Sequence, residues 1–480
     1  MHLQPGCTAL VHFDQDQSES SPCCYAYNFA MQPCCNIRLN QPAGGSVINQ
    51  HKRKLHYHCR STKGALSLIM LILSFSGAAD NVSFSSDIPL SLTTAVQIAE
   101  QNRNEITAAR ARAAAAHQRP EVVSAPEDPM FQWSVDHYPY SMMDEMAKAR
   151  YDRSLMIEQR FSLSDIRQHR RRAAEAQASI EDFSTNRTIL DIRYEAARAF
   201  YMLLESRRMQ QLTQRQQLLA TKLVEAATAR YSTGSTTQAD VFTAETEQSR
   251  VQARLTATAA EISAAEVMLS ASLGLSAQTT LPVLLPPSLD GQPPSIERVM
   301  AGVLQHRPEL QAGQAAIRKA EAEAEVMRAM YRPMLTVGLG AAKSMADGNG
   351  AMLKIGISIP LWEASLDAGV AEADSMLTMA TADLDAMQLM LQGEALAARA
   401  AVIAAQAEQQ ALQKQVLPRA ELAVRSALSA YSAGQGNMLD VITTTRAFWN
   451  VETELVMADT ALGLAWAKLE RSMASPRSTP

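Results

Sequence analysis

Two hydrophobic patterns alternate along this 480-residue chain, and each occurs twice. The first has a period of two. Phe131-Gln-Trp-Ser-Val-Asp136 and Leu155-Met-Ile-Glu-Gln-Arg-Phe161 alternate apolar with polar residues, and Leu335-Thr-Val-Gly-Leu-Gly340 and Leu353-Lys-Ile-Gly-Ile-Ser-Ile359 do so strictly. Period two predicts strands with one apolar and one polar or small face. The second pattern is helical and long. Ile189, Ile192, Ala196, Ala199 and Leu203 follow 3-4-3-4 spacing, and Leu384, Met387 and Leu391 start a similar stripe. That spacing is a coiled-coil seam. Ser164 to Tyr231 reads as one helix, Trp362 to Ala433 as its counterpart, kinked at Pro418. Helices of this length need partners of similar length. A shorter helix opens each half, Leu92 to His117 and Ile296 to Met330, and another closes it, Gln238 to Leu273 and Met438 to Met473.

The two sets are copies. Tyr231, Ser232, Gly234, Asp240, Val241 and Thr243 recur 200 residues later as Tyr431, Ser432, Gly434, Asp440, Val441 and Thr443. Gln101-Asn-Arg-Asn-Glu105 aligns with Gln305-His-Arg-Pro-Glu309. A period this long indicates a duplicated unit rather than a solenoid. Gly234 and Gly434 each follow a helix end, where glycine takes the left-handed cap conformation. Asp240 and Asp440 fall in the first turn of the next helix, where a carboxylate meets the positive end of the helix dipole.

Composition refines the boundaries. All six cysteines lie before residue 60, in spacings that suit no zinc site. Basic residues from Lys52 to Lys63, the apolar run Gly64–Phe75 and the small residues Ser76-Gly-Ala-Ala79 make a secretory signal peptide, displaced inward. The expected organisation is a dispensable or mis-assigned extension over 1–46, a signal peptide over 47–79, a first repeat over 80–280, a Pro-rich linker over 281–294 and a second repeat over 295–475. Removing residues 1–79 takes six basic and three acidic residues from totals of 44 and 49, leaving a net charge of −8. An acidic chain of this kind argues against nucleic-acid binding. Each candidate strand has about the length of a tilted strand crossing a bilayer.

Leu417-Pro-Arg-Ala-Glu-Leu-Ala423, Ala430-Tyr-Ser-Ala-Gly434 and Leu439-Asp-Val-Ile442, with Arg307-Pro-Glu-Leu310 and Ile359-Pro-Leu361, resemble the TolC family of outer-membrane efflux channels over roughly residues 90 to 472. The resemblance implies a mainly α fold with a small β part. Duplicated coiled-coil helices would form a periplasmic α-barrel. Four strands per protomer would enter a twelve-stranded outer-membrane β-barrel shared by a homotrimer. It implies a Gram-negative outer-membrane location and an efflux system completed by a periplasmic adaptor and an inner-membrane pump. No nucleophile–base arrangement stands out along the chain, so no enzyme activity is expected, and no cofactor or resident metal. Four strands cannot close a barrel alone, and open edges are excluded from lipid, so oligomerisation fits the physics.

On this reading Leu335, Val337, Leu339, Leu353, Ile355, Ile357 and Ile359 face lipid, whereas Thr336, Gly338, Lys354, Gly356 and Ser358 face the pore. The turns at Tyr231, Gly234, Tyr431 and Gly434 become the tip where the adaptor docks, and Asp440 and Asp240 become entrance candidates. Thr243 and Thr443 stand where some members carry a second acid, which favours a single carboxylate ring. Asp128-Pro-Met130 and the methionines of Tyr140–Met146 resemble the heavy-metal branch, and a thioether suits soft cations. A drug-efflux or protein-secretion channel is the alternative within the class, and a periplasmic coiled-coil scaffold without a barrel the alternative outside it. Arg167, Arg170, Arg171 and Arg172 either snorkel at the strand–helix junction or form a solvated face. His117, His137, His169 and His306 read as structural, and Gly338–Ser344 lacks the glycine a phosphate loop needs before its lysine.

Overall fold

A computed structural model describes residues 89–136, 152–289, 291–344 and 348–474. The extension, the signal peptide, all six cysteines, His137 and the Tyr140–Met146 loop lie outside the described residues.

The chain runs α1 (Leu92–Asn102), α2 (Asn104–Ser124), β1 (Met130–Asp136), β2 (Asp152–Ser162), α3 (Ile166–Ser232) and α4 (Gln238–Ser272). The series then repeats as α5 (Ile296–His306), α6 (Pro308–Ala329), β3 (Met334–Ser344), β4 (Gly348–Ser358), α7 (Glu363–Ala411), α8 (Leu417–Ser432) and α9 (Met438–Met473). The 67 residues of α3 span about 100 Å at 1.5 Å per residue. No described helix is long and apolar enough to cross a membrane.

The opening helix of each half is two helices, not the single one expected. Arg103 and Arg307 break them, each in an extended conformation with ψ of 117°. At Arg307 the cause is local, because the following Pro308 disfavours helical backbone in the residue before it. At Arg103 no proline follows, yet the same break occurs. The second long helix is interrupted just before Pro418 rather than simply kinked. Residues Leu412–Val416 form a turn of π-helix, and α8 starts with Pro418 in its first turn.

That π turn keeps the repeats in phase. Ala395, Ala398 and Val402 follow Ala196, Ala199 and Leu203 by 199 residues, whereas Tyr431 follows Tyr231 by 200. The extra residue enters between them, and a π-bulge is the form in which a helix accommodates one added residue. Two equivalent clusters result. Ala95, Ala99, Ile192, Ala196, Leu203 and Leu269 pack in the first half, and Val299, Val303, Leu391, Ala395, Val402 and Leu469 in the second. The linker is packed down as well. Leu90 donates to Val283 O (2.8 Å) and accepts from the Leu285 N–H (2.9 Å), and Leu281 and Leu284 are buried.

The strands form one antiparallel sheet in the order β1-β2-β3-β4, with β1 and β4 as its edges. Glu158 stands opposite Gly338, and Gly338 opposite Lys354. This register puts every even-numbered strand residue on one face and every odd-numbered one on the other. Arg167 and Arg171 at the start of α3 are used within the chain instead of reaching toward a membrane rim. Arg167 Nε donates to Ser124 O (2.7 Å), and Arg171 bridges Glu121 (2.9 Å) and Glu175 (3.0 Å). His117 is held at 2.9 Å from Asp182, a structural contact between α2 and α3.

Candidate functional site: tip, sheet face and arginine knots

The two tips use the same backbone device. Gly234 (φ +69°) and Gly434 (φ +80°) follow α3 and α8, and their N–H groups donate to Tyr231 O (2.9 Å) and Tyr431 O (3.1 Å). A glycine suits this left-handed region because it has no Cβ to clash. Beyond each turn an extended residue, Thr237 or Asn437, precedes the returning helix. Asn437 caps α9 by accepting the Asp440 N–H at 2.7 Å. Thr237 makes no such bond. Thr236 instead donates its hydroxyl to the Asp240 carboxylate. Asp440 is therefore exposed at the helix start, while Asp240 is half-buried and engaged.

Side chains break the symmetry that the backbone keeps. Tyr431 is 3% exposed and packs with Leu223, Ala227, Val241, Met438 and Ile442, whereas Tyr231 is 47% exposed. The guanidinium of Arg230 lies 4.4 Å from the Tyr431 ring centroid, donates to Tyr431 O, and donates to Ser235 O at 3.2 Å. Arg230 thereby ties the turn of one hairpin to the turn of the other. The repeats differ here, since the position before Tyr431 is Ala430. Deeper between the hairpins, the buried Glu247 carboxylate of α4 takes Arg446 of α9 at 2.8 Å.

The sheet separates its residues by chemistry. Phe131, Trp133, Leu155, Ile157, Phe161, Leu339, Leu353, Ile355 and Ile357 share the odd face, and all are exposed. Leu335 and Val337 share that face, half-buried. A contiguous apolar patch of this size is foreign to a solvated monomer surface and marks a partner or a membrane. Ile359, Leu361 and Trp362 extend it, exposed, to the start of α7. Thr336, Gly338, Lys354, Gly356 and Ser358 lie on the even face, as their alternation predicts. That face also carries Glu158, an acid the sequence reading did not single out.

Where the long helices meet the broken ones, each half holds an arginine knot. Arg103 bonds Glu105 (2.8 Å), Glu195 (3.1 Å) and Ser272 O (3.2 Å). Arg307 lies 3.1 Å from Glu309 and 3.5 Å from Glu394, and bonds Arg471 O at 3.1 Å. Both knots join the break in the opening helix to the long helix and to the last turn of the closing helix. At the break in α1–α2, where no proline follows, Arg103 reaches across to Ser272 O. The bond from Arg103, then the bond to its own backbone, holds the Glu105 carboxyl below the usual glutamate range. Burial pushes the Arg307 guanidinium down from its ordinary value, against Glu309 and Glu394, which hold it up. The second knot is also tied across the halves, since Arg471 of α9 pairs with Asp191 of α3 (2.5 Å) and lies 3.5 Å from Glu394.

The comparisons agree with this duplicated layout. The Outer membrane efflux protein family matches the chain twice, over residues 95–275 and 300–475. The outer membrane efflux protein BepC of Brucella suis is 25% identical over 299 residues, covering 60% of this chain and 64% of BepC. The cobalt-zinc-cadmium resistance protein CzcC of Cupriavidus metallidurans is 27% identical over 263 residues, covering 53% of this chain and 61% of CzcC. The chain thus spans less than two thirds of each of these relatives. Crystal structures of CusC, reported for folding and transmembrane channel formation, superpose with a TM-score of 0.71 at 14% identity, covering 80% of this chain and 92% of CusC. At that identity the likeness is one of fold. With a match in each of its two repeats, together covering well over half its length, the chain belongs to the outer membrane efflux protein family.

Proposed function

We propose that this chain is the outer-membrane channel of a tripartite efflux system. Three copies would close a twelve-stranded barrel in lipid and continue as a helical tunnel through the periplasm, meeting an adaptor and an inner-membrane pump. The observation that carries this reading is the sheet. One face is largely apolar and exposed and the other largely polar or small, its two edge strands have no further partner among the described residues, and it is joined to α3, about 100 Å long. In lipid such edges require neighbours, and copies of the same sheet supply them in a closed ring.

Heavy-metal cations are the cargo we favour, on the similarity to CzcC. Loss of the gene in its native host should then raise sensitivity to cobalt, zinc, cadmium or copper salts more than to organic drugs. The reverse order would assign the channel to drug export.

Envelope fractionation with native mass determination tests the channel reading. A trimer in the outer-membrane fraction, with a mature N-terminus near Asp80, supports it along with the expected signal peptide over 47–79. A soluble periplasmic monomer would give the barrel-free scaffold precedence.

Asp440 is the entrance residue we favour over Asp240, because it is exposed in the first turn of α9 whereas Thr236 already engages the Asp240 carboxylate. Asp440→Ala is expected to change single-channel conductance in planar bilayers, and Asp240→Ala to change it less. Unchanged conductance in Asp440→Ala would remove that residue from the entrance. Tyr231, Gly234 and Gly434, exposed at the same end, are the surface offered to an adaptor. Tyr431, buried in the hairpin core, supports that surface from beneath.

A further inference from the structure

The even face of the sheet bears one ion pair in its middle. Lys354 Nζ donates to Glu158 Oε1 at 2.6 Å, reaching from β4 to β2 across the full width of β3. Adjacent strands lie about 4.8 Å apart, so the pair bridges roughly 10 Å of backbone. Gly338 makes this possible. It is the β3 residue directly between them, and a Cβ there would sit 3.2 Å from Glu158 Cγ, Lys354 Cβ and Met156 Sδ. The two partners are unequally covered. The Glu158 side chain is 6% exposed and the Lys354 side chain 51%. The ammonium therefore stands at the open surface of this face, with a shielded carboxylate against it. Gly338 is the fifth of eleven residues in β3, which sets the pair near mid-strand. Among the described residues of this face the one other basic side chain is Arg160, which lies 3.8 Å from Glu127.

Resting on the barrel reading above, we infer that Glu158 sets the ion selectivity of the channel by cancelling the charge of Lys354. In a trimer the three pairs form a ring at one level of the lumen. Rings of charged side chains sort ions by sign, acidic rings favouring cations and basic rings anions. Low-dielectric walls focus the field of such a ring into the pore. A neutralised ring does neither, and leaves the lumen open to cations that three bare lysines would repel. Gly338 belongs to this device as the gap through which the two side chains meet.

The experiment is reversal-potential measurement under a potassium chloride gradient in planar bilayers. It uses the full-length wild-type protein, Glu158→Gln, Lys354→Gln and the double variant, each checked for trimer by native mass. Glu158→Gln should move the potassium-to-chloride permeability ratio toward chloride by about twofold to tenfold, and Lys354→Gln should move it toward potassium. The double variant should return close to wild type. Conducting trimers whose ratio is the same in all four proteins overturn the inference and leave the channel reading intact. Should Glu158→Gln fail to assemble, Lys354→Gln decides alone, and an unchanged ratio there overturns the inference. A wild-type protein that neither forms trimers nor conducts overturns the channel reading, and this inference with it.

Discussion

Replacing Arg307 by methionine should destabilise the helical body by about 3–5 kcal/mol, the range for breaking a buried ion pair from one side. The side chain is 1% exposed and stands between Glu309 and Glu394 while bonding Arg471 O. Methionine fills much of the volume but strands two carboxylates and a helix-end carbonyl. Arg307→Lys should not restore the loss, because an ammonium cannot reproduce the planar fork that reaches several partners at once. The duplicated knot provides the control. Arg103 has the same kinds of partner, but its side chain is 15% exposed and Glu105 and Glu195 are more than half exposed. Water can replace what Arg103 gives up, so Arg103→Met should cost distinctly less. Guanidinium unfolding of detergent-extracted protein, followed by far-ultraviolet circular dichroism, compares the two. Equal losses would mean that burial does not govern these knots.

Gly463→Ala should have the next largest effect, for a steric reason. Gly463 lies within α9 where it crosses α3, and a Cβ there would come 2.3 Å from Tyr201 Cε1 and 2.6 Å from Cζ. Tyr201 must shift to admit it. It is 3% exposed, and Phe200 meets it edge-on with centroids 6.0 Å apart. One methyl group therefore displaces Tyr201 where α9 crosses α3, and overpacking of this kind costs about 1–3 kcal/mol. The larger Gly463→Val should prevent a stable α3–α9 contact. The second-site variant Gly463→Ala with Tyr201→Leu should recover part of the loss by opening space for the methyl. A Gly463→Ala protein as stable as wild type in the same unfolding measurement would show that the helices can shift apart without penalty.

The sequence announced what depends on periodicity. Alternation over Leu335–Gly340 and Leu353–Ile359 placed each residue on its face, and the Tyr-Ser-x-Gly repeat located both turns, because these are local properties of the backbone. The long helices were legible from their seams. Less visible was whatever depends on partners distant in sequence. Nothing local separates Arg103 from an ordinary helical residue; its partner Ser272 O is 169 residues away. At Arg307 the following proline was a usable sign of the break. Glu158 sits in the least regular of the four strand patterns, and its meaning comes from Lys354, 196 residues on. Arg230 was hidden for the opposite reason. Matching the repeats draws attention to what they share, and Arg230 is where they differ.

The π turn at Leu412–Val416 has a consequence for how the two halves can diverge. In a regular helix one added residue turns everything beyond it by about 100° and advances it by about 1.5 Å. Here the wider turn absorbs both, so α7 and α8 keep the seams that α3 carries without interruption. Evolution or design can therefore alter chain length at this point without rewriting either end of the helix. Excising a single residue between Leu412 and Val416 restores the spacing of the first half, and the edit that would elsewhere scramble a coiled coil becomes close to silent.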